Sequence, residues 1–180
     1  MKSASQCWSA GVVSFLSPPL QRAREHFNIE GRASLNGSSS VSCFTSLLTP
    51  QGKFLYEFII IKHKSGYLID CEKSQADGLF KQLSIYKLRS KIEILNLSNE
   101  FVVAAFSHEK FLSFDKAQDE AGFTIKYRED PILLDPRNKL LGARLVINLE
   151  KLYLSLKKLD LHDSKLEEYY SLSHKLGIVP

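Results

Sequence analysis

Two short runs hold the side chains best placed to do chemistry. Gln51-Gly52-Lys53 joins a flexible backbone to a cation, and Tyr56 and Glu57 follow on a run of β-formers. A glycine turn of this kind can bring a lysine up to an anion. Tyr56 and Tyr86 present flat faces suited to stacking on a ring, with core packing the expected job of Tyr86. Further along, Asp135-Pro136-Arg137 precedes Gly142 and Arg144. An aspartate here can accept a backbone N–H two residues on and pair with the guanidinium, which fixes a loop. That structural role is the expectation for Asp135 and Arg137. Arg89, beside Lys91, suits either an anionic ligand or the C-terminal end of its own helix.

Several chemistries find no support. His26, His63, His108, His162 and His174 are scattered, with no pair four residues apart and none beside a plausible nucleophile. No Ser/His/Asp or Cys/His set can be drawn, and no catalytic residue is assigned. Cys7, Cys43 and Cys71 are widely spaced, without a Cys-x-x-Cys pair, so no metal site is expected. Their pattern suits a reducing compartment. No glycine-rich phosphate loop occurs. The net charge of +4 is spread among interspersed acids, so no basic stripe marks a nucleic-acid partner. Apolar runs such as Phe58 to Ile61 are far too short to span a membrane.

The elements that must position these residues read as α+β. Phe54–Ile61 and Tyr67–Cys71 form a hairpin about the His63-Lys64-Ser65-Gly66 turn. Ser74 opens a helix, with Asp77 at capping-box spacing and Ala76, Leu79, Phe80, Leu83 and Tyr86 on one face. Lys91–Asn96, Phe101–Phe106, Gly122–Tyr127 and Leu140–Ile147 read as strands, residues 110–120 as a short helix, and Pro131 and Pro136 as the bracket of a loop. A helix carrying Leu149, Leu152, Tyr153 and Leu156 follows. A last helix, capped by Asp163 or Ser164, turns Leu166, Tyr169, Tyr170 and Leu176 inward and ends at Gly177. The hairpins demand antiparallel pairing, so a mixed, mostly antiparallel sheet with packed helices is expected. Residues 1–42 differ: they are serine-rich, basic and weakly periodic. They read as a loosely ordered leader or, equally, an organelle transit segment.

Three segments resemble the YgfZ-type folate-binding family, relatives of the glycine-cleavage T-protein that help mature iron–sulfur enzymes. They are Leu47 to Glu57, Tyr86 to Ile92, and Asp135-Pro136-Arg137 with Leu141-Gly142 and Arg144. The last helix, to Gly177-Ile178, is similar to the family's approach to its signature loop. The resemblance covers about residues 43–180 and implies the family's N-terminal folate-binding domain. Residues 1–42 do not resemble it. The signature loop Lys-Gly-Cys-Tyr-x-Gly-Gln-Glu and the C-terminal barrel domain have no counterpart in the sequence, so a partial domain is the expectation.

The resemblance implies tetrahydrofolate as ligand, and iron–sulfur client or assembly proteins as partners. It implies Gln51, Lys53, Tyr56, Glu57 and Arg89 as folate contacts, with Glu57 the carboxylate facing the pterin. Asp135, Arg137, Gly142 and Arg144 are its structural motif. The implied compartment is the cytoplasm, with the mitochondrial matrix as the alternative. An aminomethyltransferase like the T-protein is a second reading. T-proteins show two adjacent acids where this chain has Tyr56 before Glu57. A non-functional truncated remnant is a third.

Overall fold

The computed structural model describes residues 4–8, 11–16, 40–64, 66–87, 92–163 and 165–178. Among the described residues twelve strands fall in two sheets. In chain order they are β1 (Ala4–Trp8), β2 (Gly11–Leu16), β3 (Ser40–Val41), β4 (Cys43–Leu48), β5 (Phe54–His63), β6 (Gly66–Cys71), β7 (Glu93–Asn96), β8 (Phe101–Phe106), β9 (Phe123–Tyr127), β10 (Asp130–Leu134), β11 (Ala143–Asn148) and β12 (His162–Asp163). Helices α1 (Ala76–Lys87), α2 (His108–Leu112), α3 (Leu149–Lys158) and α4 (Leu166–Lys175), with 3₁₀ turns at Lys73–Gln75 and Lys139–Leu141, complete the described elements.

The first sheet runs β12-β1-β8-β11-β10-β9-β3 and the second β4-β5-β6-β2-β7. Every pairing is antiparallel except β1 with β12. The α+β class is therefore as the hairpin signals predict, but the strands divide between two sheets.

Strand alternation sorts the core into layers. Ile59, Ile61 and Leu68 of the second sheet meet Val103, Leu133 and Val146 of the first, forming the layer between the sheets. Phe58, Ile69 and Cys71 point the other way, onto Ala76, Leu79 and Leu83 of α1. Ala104, Ile132, Leu145 and Ile147 face outward beneath Phe111 of α2, with Leu152 and Leu156 of α3 packed against them. The order is helix, sheet, sheet, helix. Helix α4 lies over the first sheet at one end, through Ala105, Leu141 and Tyr169.

The structure corrects several local expectations. Within residues 1–42, expected to be loosely ordered, the described residues 4–8 and 11–16 form strands. Gly11–Leu16 lies inside the second sheet, paired to Cys71–Gly66 on one side and Asn96–Glu93 on the other, while Ala4–Trp8 pairs with β8. A strand flanked on both sides need show no polar alternation, and its partners lie 50 or more residues away, so local periodicity was a poor guide. Residues 17–39 lie outside the described set.

Ser74 does not cap α1. It sits in a 3₁₀ turn, Lys73–Gln75, that has no side-chain cap, and Asp77 Oδ1 accepts from Asn96 Nδ2 at 2.8 Å, tying the helix to β7. Tyr86 is 39% exposed rather than packed inward. Pro131 falls within β10, not in a loop. β11 takes up pairing only from Ile132, so the missing N–H costs no bond on that side. Asp163 does not cap the last helix: Lys165 holds that position and its side chain makes no capping bond, while Ser164 lies outside the described residues. Leu166 is exposed as well. Gly177 does close α4. At φ +70° it lets its own N–H reach His174 O at 3.0 Å and the Ile178 N–H reach Ser173 O at 2.9 Å, the Schellman pattern.

Candidate functional site

The inter-sheet layer changes character along its length. Its middle is aliphatic, and one end is built from charged residues on the same strands. Asp70 follows Leu68 by two residues on β6, so both point between the sheets. Arg144 precedes Val146 by two residues on β11 and points to the same layer. Each is almost wholly buried. Arg144 donates from Nε at 2.8 Å and from Nη2 at 2.7 Å, both to the one oxygen Oδ2 of Asp70. This pair joins the two sheets.

Asp135, at the end of β10, is fully buried and extends the cluster. It accepts the Arg137 backbone N–H at 2.9 Å, Nε at 3.0 Å and Nη2 at 2.8 Å. Arg144 Nη1 stands 3.6 Å from Asp135 Oδ2. Tyr169 reaches in from α4, and its hydroxyl accepts from Arg137 Nη2 and Arg144 Nη1, each at 3.0 Å. Two carboxylates, two guanidiniums and one phenol thus interlock strands of both sheets with the last helix.

Gly142 makes this possible. Its φ of +89° belongs to glycine, and a Cβ there would lie 2.0 Å from the Phe106 carbonyl oxygen. The close approach sets the start of β11 against β8 and so aims Arg144.

The charges feel one another strongly. Burial would raise the Asp135 carboxyl, but the Arg137 hydrogen bonds and the Arg144 charge outweigh it and hold it below its usual value. For Asp70 burial wins over Arg144, and the carboxyl is raised. Burial opposes the charge on Arg144, yet Asp70, Tyr169 and Asp135 together keep it firmly protonated. Burial, with the charges of Asp70 and Glu72, pushes the Cys71 thiol up to about 12, so it is an unreactive thiol at neutral pH.

A recess of about 40 Å³ opens beside this cluster, lined by residues that include Phe44, Glu57, Asp70, Glu72, Gln75 and Arg144. A wider furrow of about 340 Å³ runs along the outer side of α4, between Glu167, Glu168, Ser171, Leu172 and Lys175. Its residues come from one helix face, and no buried polar group converges there.

The sequence-derived candidates are spread over this architecture. Glu57 is half-buried and lines the recess. Tyr56 points to the opposite face of the second sheet, against α1, where Gly78 leaves room for its hydroxyl. Gln51 and Lys53 are exposed in the β4–β5 turn, which Thr49 closes through bonds to Gly52 N and Lys53 N. Four residues of strand put Lys53 about 13 Å from Glu57. Arg89 lies outside the described residues. Sequence reasoning missed Asp70, Gln75 and Tyr169 as site residues. The available signal was Asp70 itself: an acid in the apolar run Tyr67 to Cys71 must find a partner if the strand is buried.

Among the described residues, no cluster of histidine, cysteine and carboxylate side chains could hold a metal ion, and no helix is long and apolar enough to cross a membrane.

No family model matches the chain. It is 23% identical over 160 residues to the iron–sulfur cluster assembly factor IBA57 homolog, mitochondrial, of Dictyostelium discoideum, a match covering 76% of this chain and 38% of that protein. Among solved structures it is similar to the glycine cleavage system aminomethyltransferase T from Bartonella henselae. The TM-score is 0.77 at 13% identity, over 99% of this chain and 52% of that one. It is also similar to a chain of the heterotetrameric sarcosine oxidase from Corynebacterium sp. U-96, at TM-score 0.57 and 11% identity, over 87% of this chain and 81% of that one. The chain thus spans about half or less of the first two relatives. The chain is thus similar in sequence to an iron–sulfur cluster assembly factor and shares the fold of an aminomethyltransferase T structure.

Proposed function

We propose that the chain is a folate-binding protein that assists iron–sulfur cluster assembly or the maturation of iron–sulfur enzymes. The observation that carries this reading is the likeness to the IBA57 homolog, joined to an aminomethyltransferase fold spanning nearly the whole chain. The ligand we infer is tetrahydrofolate, and the partners are iron–sulfur client or assembly proteins. Of the two compartments, the relative's name favours the mitochondrion.

The residues fit one edge of such a ligand. Glu57 presents a carboxylate of the kind that accepts the amide and amino hydrogens of a pterin, and it opens onto the recess. The recess encloses about 40 Å³, against roughly 300–1,000 Å³ for a typical small-molecule site. Glu57 would therefore hold a ring edge, with the rest of the ligand across the mouth. Lys53, about 13 Å along the strand, would meet the anionic tail.

Thermal unfolding with and without tetrahydrofolate tests the reading. Ligand at about 100 times its dissociation constant stabilises by about 2.7 kcal/mol, which for a chain of this size raises the midpoint by about 5–11 °C. Glu57→Gln should reduce the shift. A cooperative transition indifferent to the ligand would refute folate binding. The fold also favours an aminomethyltransferase, and transfer of a methylene group to tetrahydrofolate is its assay.

A further inference from the structure

Arg144 places both of its bonds to Asp70 on a single oxygen, Oδ2. The other, Oδ1, is buried with no hydrogen-bond partner among the described residues, and so is Gln75 Oε1. Both residues line the same recess. An orphaned buried acceptor costs about 1–3 kcal/mol, and two in one small space point to an occupant that donates. A single ordered water needs about 10–15 Å³, whereas this recess holds about 40 Å³. Glu57 and Glu72 add carboxylates to its wall, while both arginines there are already engaged by Asp70, Asp135 and Tyr169.

We propose that this recess is a subsite for a guanidinium-type cation whose N–H groups are taken by Asp70 Oδ1 and Gln75 Oε1. A planar head of four heavy atoms suits the volume, and its positive charge answers the acidic wall. The inference needs only the two acceptors and the space between them, and it concerns the same recess at which the folate reading puts a ring edge, so the two ligands would compete there.

The probe is methylguanidinium chloride, titrated into the full chain and followed by amide chemical shifts and calorimetry. Urea serves as its neutral counterpart and sodium chloride as the ionic-strength control. Saturable binding of methylguanidinium, at least about tenfold tighter than urea, is expected. Gln75→Leu, which leaves the ion-pair network intact, should weaken it about tenfold, and Gln75→Glu should tighten it. A folded wild type with no saturable binding means that the recess holds water only and overturns the proposal. Equal binding by wild type and Gln75→Leu, or by urea and methylguanidinium, overturns it as well. Tetrahydrofolate titrated in parallel keeps the two readings apart: folate binding without the cation sinks this inference alone, and the reverse sinks the folate reading alone.

Discussion

Tyr169→Phe isolates one contribution to the buried cluster. The substitution removes a single oxygen and keeps the ring, so α4 retains its packing on Ala105 and Leu141 and no cavity opens. What is lost is an acceptor shared by Arg137 Nη2 and Arg144 Nη1, both at 3.0 Å. Hydrogen bonds to charged groups contribute about 1.5–3 kcal/mol each. These two share one oxygen, so their loss sums to less than twice that. Arg137 Nη2 keeps Asp135 Oδ2 at 2.8 Å, while Arg144 Nη1 faces that same oxygen at 3.6 Å, beyond hydrogen-bond reach. The net cost is about 2–4 kcal/mol, or about 6–12 °C in midpoint for a loss of 3 kcal/mol. Urea unfolding should show a lower midpoint with an unchanged slope. In a cycle with Arg137→Lys the two changes should couple by about 0.5–3 kcal/mol. A Tyr169→Phe protein within about 0.5 kcal/mol of wild type, or a cycle without coupling, would refute the shared-acceptor reasoning.

Three further outcomes follow from the same geometry. Gly142→Ala should destabilise by about 3 kcal/mol or more, from its φ of +89° and the 2.0 Å approach of the Phe106 carbonyl; a near-neutral midpoint would deny the close approach. With its thiol raised to about 12, Cys71 should resist iodoacetamide at pH 8 in the native protein and react once unfolded; rapid native labelling would contradict the burial. In carboxyl ¹³C titrations Asp135 should still be ionised at pH 3.8, while Asp70 takes up its proton above that value. The linkage signs are then opposite. Asp135 contributes stability that is present above 3.8 and lost as pH falls through its lower folded value, whereas Asp70 stabilises as pH falls through its raised folded value. The reverse order of titration would refute this account.

The parts of the fold legible in the sequence were those decided locally. Phe101–Phe106 and the hairpin about Gly66 form where their composition places them, and Gly177 ends α4 as a left-handed residue must. Boundaries set by tertiary contact were not legible. Asp77 has the spacing of a capping box, but Asn96, nineteen residues away, takes its carboxylate. Gly11–Leu16 is fixed by strands on both flanks, and no window within residues 1–42 contains either partner. The site follows the same rule. Glu57 was visible as an acid beside a turn, but the residues around it come from β4, β5, β6, the 3₁₀ turn and β11. Only the meeting of two sheets assembles them.

That meeting explains why charge sits where an aliphatic layer would cost less. Replacing a buried ion pair by well-packed apolar groups is often neutral or stabilising, so a buried pair is weak grounds for stability. Along β6 and β11 the residues two places from Asp70 and Arg144 are Leu68 and Val146, which pack across the same layer without polar atoms. Continuing that pattern would have closed the sheets together. Instead the pair leaves Asp70 Oδ1 without a partner among the described residues, beside Gln75 Oε1, and Asp135 and Tyr169 hold Arg144 from the far side. An arrangement that fixes one carboxylate oxygen with two bonds and leaves its twin bare does little for folding. It holds the bare oxygen rigidly at the wall of a recess, which is what a binding site requires of it.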